Sequence, residues 1–411
     1  MNYELFIAKR IIAGKEYKNS ISSPIIKIAI TAIALGVIIM MISMATGSGF
    51  QHKIRDKISG FKGHIQITNY DDNNSEVSIT PIDKNQDFYP KFKTIDGIKK
   101  VQVFANKAGV IRTATDFEGI VFKGVSSNYD WSFFQEYLVE GKLPNFNQQR
   151  VRDVLLSKTV VDKLQLKLND TITVFFMKAA KNKAPSRYKL VVVGIYDSGF
   201  SQFDKSLMIG DIKEIQRLNK WNENQIGGFE VLLDNFDDIN QKGNEIYSTI
   251  GSTLNSTTIV ESYDVIFEWI ELFDNNVWFI IGIMIFVASI NMITALLVLI
   301  LERVQMVGIL KALGSDNWGI RKIFLYNATY LILKGLLWGN IIGITLLLVQ
   351  HYFGLITLDP ASYHVTTVPV YINVFSVIML NVGTLILCFL MLLIPSYIIT
   401  KITPSKSIKF A

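Results

Sequence analysis

The residues able to carry chemistry are few, and they are poorly spaced for it. The four histidines, His52, His64, His351 and His364, stand in no HExxH or other metal-ligand spacing. The one cysteine, Cys388, lies in an apolar run. There a lone thiol is a small buried side chain, and no intramolecular disulfide can form. No G-x-x-x-x-G-K-[ST] occurs, so the chain has no P-loop to cradle nucleotide phosphates. Gly47-Ser48-Gly49 lacks the third glycine of a dinucleotide fingerprint and follows an apolar span rather than a strand. There is no G-x-S-x-G nucleophile elbow. Carboxylates are present, but nothing in their order pairs them into a catalytic site. Covalent chemistry is therefore not expected, and attention turns to residues that dock or pack.

The stretch LERVQMVGILKALGSDNWGIRKIF, residues 301–324, places Val304, Val307, Ile309, Leu310 and Leu313 on an apolar helical face. Gly314 fits a helix C-terminus, and Ser315 or Asp316 fits the cap of the next helix. Such a helix beside a membrane either binds a groove on a soluble partner or lies on the lipid surface. The stretch KAAKNKAPSR, Lys178–Arg187, is basic, contains a proline and separates two strand candidates. It reads as a protruding hairpin loop, either a docking tip or a solvated turn. Gly335, Gly339 and Gly343 repeat every four residues, so one helix face admits close approach by a neighbour, within the chain's own bundle or in another subunit. Lys334 stands mid-span, where a lysine must face protein, water or a headgroup, or snorkel to the interface.

The elements that position these residues follow from hydropathy. Of 411 residues, 50% are hydrophobic and only 18% are charged, against about 25% in soluble domains. The charges crowd into Gln51–Trp269, whereas four long windows are nearly free of them: Ile28–Thr46, Val277–Leu301, Ile323–Val349 and Ile372–Ile399. Each suffices for the ~20 residues that cross a hydrocarbon core. Lys9, Arg10, Lys15, Lys18 and Lys27 precede the first window. Arg303, Lys311, Arg321 and Lys322 separate the second from the third, and Lys401, Lys406 and Lys409 follow the fourth. His351–Tyr371 contains no Lys or Arg. The positive-inside rule then puts both termini and the 302–322 loop in the cytoplasm, and the large domain and the 351–371 loop outside. The net charge of +6 suits a membrane surface better than nucleic acid, because the basic residues flank apolar spans. The basic lead-in is long for a cleaved signal peptide, which runs ~15–30 residues in all, so the first span reads as an uncleaved anchor. Tyr3–Tyr17 reads as an amphipathic helix on the cytoplasmic surface or as a disordered basic tail.

Between the first two spans, period-2 runs at 63–68, 119–123, 171–176 and 188–196 predict strands, and helical patterns cover 158–166, 211–219 and 236–250. The Asp71–Ser75 cluster reads as a loop. This is an α+β domain.

Several stretches together resemble the FtsX-like permease family of ABC transporters, and within it the lipoprotein-releasing LolC/LolE type. They are FIAKRIIAGKEYKNSISSPIIKIAITAIALGV at the start, GFQHKIRDKISGFKGHIQI at 49–67, the 302–324 loop, LDPASYHVTTVPV at 358–370 and the ending P-x-x-x-x-x-x-x-TPSKSIKF. The likeness spans essentially the whole chain. In the family's ER-x-x-x-I-x-x-L-x-A-x-G loop, Met306-Val307 stands here where Glu-Ile is usual.

The resemblance implies a membrane protein with four transmembrane helices, of the type VII ABC or MacB-like permease kind, carrying a large α+β periplasmic domain. Its parts would be a cytoplasmic amphipathic helix at 1–27, a first span at 28–48, a periplasmic domain at 49–270 and an FtsX-like transmembrane domain at 271–411. It also implies an inner-membrane location and a coupling helix at 304–316 seated in a cytoplasmic ABC ATPase. Glu302, Met306, Gly308, Leu310, Lys311, Leu313 and Gly314 match that motif. The chain would hold no cofactor, ATP and Mg2+ being bound by the partner ATPase dimer. A second permease subunit, identical or related, would sit beside it, and membrane lipids would surround both. The implied cargo is a triacylated lipoprotein, passed to a LolA-like periplasmic carrier by mechanotransmission. Met44 and Phe50 stand where the family lines its lipid cavity, and their apolar character also suits ordinary packing. Lys178, Lys181, Pro185, Ser186 and Arg187 match the carrier-binding hook. MacB-type efflux and FtsX-like control of cell-wall hydrolases share the architecture, although MacB carries a fused ATPase domain and FtsX-like proteins a smaller outer domain. A membrane-anchored enzyme with its site in 51–270 is disfavoured by the missing motifs.

Overall fold

Apolar composition becomes long helices toward both ends of the chain and a mixed sheet between them, in a computed structural model that describes residues 3–13, 22–72, 76–147, 151–177, 185–363 and 365–402. Helix α1 (Tyr3–Ala13) is followed by α2 (Ser22–Lys62), β1 (Ile65–Asn69), β2 (Ile82–Asp83), β3 (Ile98–Arg112) and β4 (Phe117–Val125). Next come α3 (Ser132–Glu136), β5 (Leu138–Gly141), β6 (Asp153–Ser157), α4 (Lys158–Lys163), β7 (Thr171–Phe176) and β8 (Ser186–Tyr196). Then follow α5 (Ser201–Asp204), β9 (Leu207–Asp211), α6 (Ile212–Asn219), β10 (Gln225–Ile226), β11 (Gly228–Leu233), α7 (Ile239–Thr249), β12 (Leu254–Thr258) and α8 (Ile259–Ser262). The chain finishes with α9 (Asp264–Glu302), α10 (Val304–Ala312), α11 (Asn317–Phe353), α12 (Pro360–Tyr363), α13 (Val374–Ser396) and α14 (Ile398–Lys401).

Among the described residues, four helical runs are long and apolar enough to cross a membrane: α2, α9, α11 and α13 continued by α14. The 41 residues of α2 rise about 60 Å at ~1.5 Å each, twice the ~30 Å of a hydrocarbon core. The stretch 49–62, placed at the start of the outer domain by the sequence reading, continues the helix of the first span. The chain divides into two compact units, one of Met1–Gln51, Trp269–Thr357 and Thr367–Ala411, the other of His52–Glu268 and Leu358–Thr366. The hairpin tip Leu358–Thr366, expected as part of a simple loop between spans, therefore groups with the outer residues. There the Ser201 hydroxyl donates to the Pro360 carbonyl at 3.3 Å.

In the first unit the helices bury one apolar core. Ile33, Val37, Met40 and Met41 of α2 meet Met292 and Leu296 of α9, Phe324 and Ile332 of α11, and Cys388 and Leu392 of α13. Lipid is as apolar as leucine, so close backbone approach must supply much of the cohesion. The stripe of glycines on α11 provides it: a Cβ on Gly339 would lie 2.8 Å from Val37 Cβ and 2.9 Å from the Ala34 carbonyl oxygen. Gly335 faces Ile33 and Gly343 faces Met41 in the same way. Polar glue sits between α11 and α13, where the amides of Asn340 and Asn381 exchange hydrogen bonds at 2.6 and 2.9 Å. Helix α1 packs against protein rather than only against a lipid surface. Ala8 is buried, the Tyr3 hydroxyl donates to Ser315 Oγ at 3.5 Å, and Glu4 pairs with Lys322 at 3.7 Å. Residues 14–17 of the expected Tyr3–Tyr17 helix lie outside the described residues.

The second unit is built on one mixed sheet in the order β12-β1-β11-β3-β4-β9-β6-β8-β5. Because β7 pairs with both β3 and β8, strands β3-β4-β9-β6-β8-β7 return on themselves as a barrel, while β12 and β5 end the sheet. The length of β3 permits this. Ile98–Phe104 ladders to β11, and Gly109–Arg112 ladders to β7. Strand β7 alternates, burying Ile172, Val174 and Phe176. The Phe176 ring lies 5.7 Å from that of Phe122, and Gly109 leaves it room, since a Cβ there would come within 2.8 Å of the ring.

The C-terminal end of α2 is anchored in this unit. Ile54, Ile58 and Phe61 are buried at helical spacing, and the Phe61 ring meets Phe133, Phe134 and Phe203 at 4.9, 5.5 and 4.5 Å. The Lys123 ammonium donates to the Phe61 carbonyl and to Glu230 Oε1, both at 2.6 Å. Their side chains are 2% and 0% exposed. The amides of Gln66 and Gln102 donate to Glu230 at 3.3 and 3.1 Å. Gly63, at φ +71°, turns the chain beneath this pair, where a Cβ would lie 2.9 Å from that of Glu230.

Removing one partner of a buried pair strands the other charge, at a cost of about 3–5 kcal/mol. Lys123→Met is therefore expected to lower the thermal unfolding midpoint of the full chain in detergent steeply. Adding Glu230→Leu is expected to recover most of that loss. Equal destabilisation of the single and double variants would show that charge pairing is not the cause.

Candidate functional site

The loop after the second span folds as α10, which ends at Ala312. Gly314, at φ +91°, turns the chain. Asp316 then caps α11 by accepting from the Gly319 N–H at 3.1 Å. The coupling helix expected over 304–316 is thus a shorter helix followed by a turn. Its apolar residues do not share one face. Val307 and Gly308 are buried, and Met306 and Leu310 pack against the bundle core. Ile309 and Leu313, one turn apart, are 52% and 79% exposed. Lys311 also turns to the bundle, donating to the carbonyls of Ile399, Thr400 and Ile402 at 2.9, 3.3 and 2.7 Å. Partial burial lowers its pKa. Glu302 and Gly314 are exposed. Of the residues matched to the coupling motif, only Glu302, Leu313 and Gly314 face outward, and Ile309, expected on the apolar face, joins them. In so short a helix with apolar residues on both sides, periodicity cannot tell the two faces apart.

The basic stretch 178–187 joins β7 to β8, whose register sets Phe175 opposite Arg187 and Phe176 opposite Ser186. Lys178 and Lys181 lie outside the described residues. The flanking Met177 is 77% exposed, Pro185 and Arg187 are exposed, and Ser186 is half-buried. Beside them the β3–β4 turn is tied by Thr113, whose hydroxyl donates to the Asp116 carbonyl and accepts its N–H, each at 3.0 Å. Phe117 follows, 73% exposed. A cleft of about 600 Å³ opens here, lined by Arg112, Phe117, Phe175 and Pro185. Phe117 and Met177 gave no signal in the sequence, since a single apolar residue at a strand end has no period.

Met44 is half-buried against the bundle core, and Phe50 is buried with its ring 5.5 Å from that of Phe273. In the single chain both take part in side-chain packing. Lys334 is exposed on α11, its ammonium 4.6 Å from the ring of Tyr330, one turn nearer the helix start. That is a snorkelling geometry.

The perturbed titratable groups of the second unit serve structure. Burial raises the Asp204 carboxyl to about 6 and lowers the Lys57 ammonium to about 8. Asp204 accepts from the Ser198 hydroxyl at 2.7 Å. Burial brings His64 to about 4, and its Nδ1 accepts the Leu233 N–H at 3.0 Å. Among the described residues no group of three His, Cys, Asp or Glu could hold a metal.

Comparison with known proteins agrees with this division. The FtsX-like permease C-terminal family model matches residues 278–404, and the MacB-like periplasmic core domain model matches residues 28–247. The chain is 22% identical to the lipoprotein-releasing system transmembrane protein LolE of Haemophilus influenzae, over 99% of both chains. It is 21% identical to LolC of Neisseria meningitidis, again over 99% of each. Among solved structures, the extracellular domain of the ABC-type transporter YknZ from Gram-positive bacteria overlaps 47% of this chain and 99% of its own, at 17% identity and a TM-score of 0.31. The periplasmic region of MacB from Actinobacillus actinomycetemcomitans overlaps 50% of this chain and 92% of its own, at 17% identity and a TM-score of 0.33. With the MacB-like core model covering over half its length and the FtsX-like model its last three spans, the chain belongs to the FtsX-like, MacB-like family of inner-membrane ABC-transporter permeases.

Proposed function

We propose that this chain is the membrane subunit of an ABC transporter that lifts triacylated lipoproteins out of the inner membrane and hands them to a periplasmic carrier. The observation that carries the reading is likeness over 99% of both chains to lipoprotein-releasing transmembrane proteins, so that spans, inner loop and outer domain all correspond. A separate cytoplasmic ATPase binds ATP and Mg2+, and this chain contributes no catalytic group. Its landing place is the outward face of α10, where Ile309 and Leu313 offer apolar anchors one turn apart, as in helix-in-groove recognition. A second permease subunit, the same chain or a relative, completes the transporter. The carrier docks at the hairpin tips, where Arg112 and Arg187 stand beside exposed Phe117 and Met177. Apolar anchors flanked by two arginines, with Asp116 also on the cleft, suit a carrier with an acidic rim.

Purification of the full chain with its bound partners tests the reading. Mass spectrometry is expected to find a small ABC ATPase and triacylated lipoprotein. Recovery of an outer-membrane efflux adaptor in their place would overturn it. Ile309→Asp combined with Leu313→Asp is expected to abolish ATPase co-purification while the chain still inserts and folds, because both residues are exposed. Retention of the ATPase at normal stoichiometry would refute the docking face. Arg187→Glu is expected to slow transfer to the carrier roughly tenfold at low salt, with the effect shrinking as salt rises, and to leave ATP hydrolysis unchanged. A salt-independent loss would point to misfolding of the hairpin instead.

A further inference from the structure

Two cations from the inner loop hold the cytoplasmic end of the fourth span. The Lys311 ammonium has three N–H donors, and three carbonyls take them up, those of Ile399, Thr400 and Ile402. These are end-of-helix oxygens, of which that of Ile399 also accepts the Ile402 N–H at 3.4 Å, and they carry the negative end of the helix dipole. Arg321, in the first turns of α11, donates through Nε to Ser396 Oγ and through a terminal nitrogen to the Leu393 carbonyl, both at 3.0 Å. Its guanidinium lies 5.1 Å from the ring of Trp318. Between these attachments stands Pro395, inside α13, which cannot donate to the turn before it and leaves this end of the helix weaker in its own bonding. On α10, then, Ile309 and Leu313 face outward while Lys311 faces the fourth span. By the covalent route α10 reaches that span only after the whole of α11 and the loop that follows. Through Lys311 the distance is one hydrogen bond.

We propose that Lys311 is a positioning residue that passes movement of α10 directly to the end of the fourth span, with Arg321 steadying the same end, and that it is not itself an ATPase contact. This deepens the reading of α10 as the ATPase landing place and rests on it. With its three donors engaged, Lys311 has none to offer a partner, and displacement of α10 must either carry residues 399–402 along or break three charge-assisted bonds.

The test uses the full chain with its co-purified ATPase in nanodiscs. In Lys311→Met, ATPase stoichiometry and ATP hydrolysis are expected to hold, while lipoprotein delivered per ATP falls roughly tenfold, the size of effect a broken coupling link produces. Lys311→Arg, which keeps charge and donors, is expected to restore most of it. A second readout needs no cargo. On adding a non-hydrolysable ATP analogue, hydrogen exchange at 304–313 and 393–402 is expected to change together in the parent, and only at 304–313 in Lys311→Met. That measurement stands even if the cargo is not a lipoprotein. Loss of ATPase binding in Lys311→Met, or an unaltered exchange response at 393–402, would overturn the proposal. If the Met variant fails to accumulate, Lys311→Gln, whose amide cannot satisfy three carbonyls, is held to the same outcomes.

Discussion

The Lys123–Glu230 pair, closed off from water and joined to the Phe61 carbonyl, is the constraint around which the outer unit is arranged. Removing two charges from water costs several kcal/mol per ion, and only good geometry with further hydrogen bonds offsets that. The geometry here draws on five elements: α2 supplies the carbonyl, β4 the lysine, β11 the glutamate, and β1 and β3 the amides of Gln66 and Gln102. A shift of α2 along its axis by even one residue would take the Phe61 carbonyl away from the buried Lys123 ammonium. The pair therefore fixes where the helix ends more sharply than the surrounding Phe61, Phe133, Phe134 and Phe203 rings could, since apolar packing is non-directional and tolerates sliding. Hydrophobic burial holds the unit together, and the ion pair sets the register.

The same chemistry recurs at the cytoplasmic end of the helical unit, where Lys311 and Arg321 take up the terminal carbonyls of α13 and α14. Between such ends the bundle relies on a different principle. Inside lipid there is little hydrophobic gain in bringing helices together, so α11 meets α2 through Gly335, Gly339 and Gly343, and α13 through the reciprocal amides of Asn340 and Asn381. Small-residue stripes and single polar pairs allow close approach without locking every rotation. Cations at helix ends are the firmer attachments. A protein that must move while remaining assembled is well served by that division.

Much of this was legible in the sequence because the membrane imposes so strong a code. Apolar windows of sufficient length, Lys and Arg on one side of them, and a charge-rich stretch between the first two spans left few alternatives. The Gly335–Gly343 stripe was equally plain, since a four-residue repeat on a helix leaves no doubt about its face. Strand β3 was not legible. Its KVQVFANKAGV buries Gln102 and Asn106 because both edges pair and the Gln102 amide bonds to Glu230, so the apolar alternation that marks a strand is broken where the strand is most central. Lys123 was hidden for a related reason. A lysine in a strand normally marks the solvent face, and only the distant Glu230, brought alongside by folding, reverses that reading. In the inner loop, apolar residues on both sides of α10 concealed which of them the bundle had claimed, and Lys311 looked like a surface charge because its three carbonyl partners lie some ninety positions on.

The distribution of used and unused groups narrows what the chain can do alone. Several of its buried groups are committed, Lys123 to Glu230 and a backbone carbonyl, Asp204 to Ser198, and the half-buried His64 to the N–H of Leu233, whereas Asp211 Oδ2 and Glu214 Oε2 are buried without a hydrogen bond among the described residues. Burial is the leading cause of the perturbed proton affinities of Lys123, Asp204 and His64. Among the outward-facing apolar side chains are Ile309 and Leu313 on a cytoplasmic helix, and Phe117 and Met177 near Arg112 and Arg187. Exposed large apolar groups next to polar ones mark sites of association.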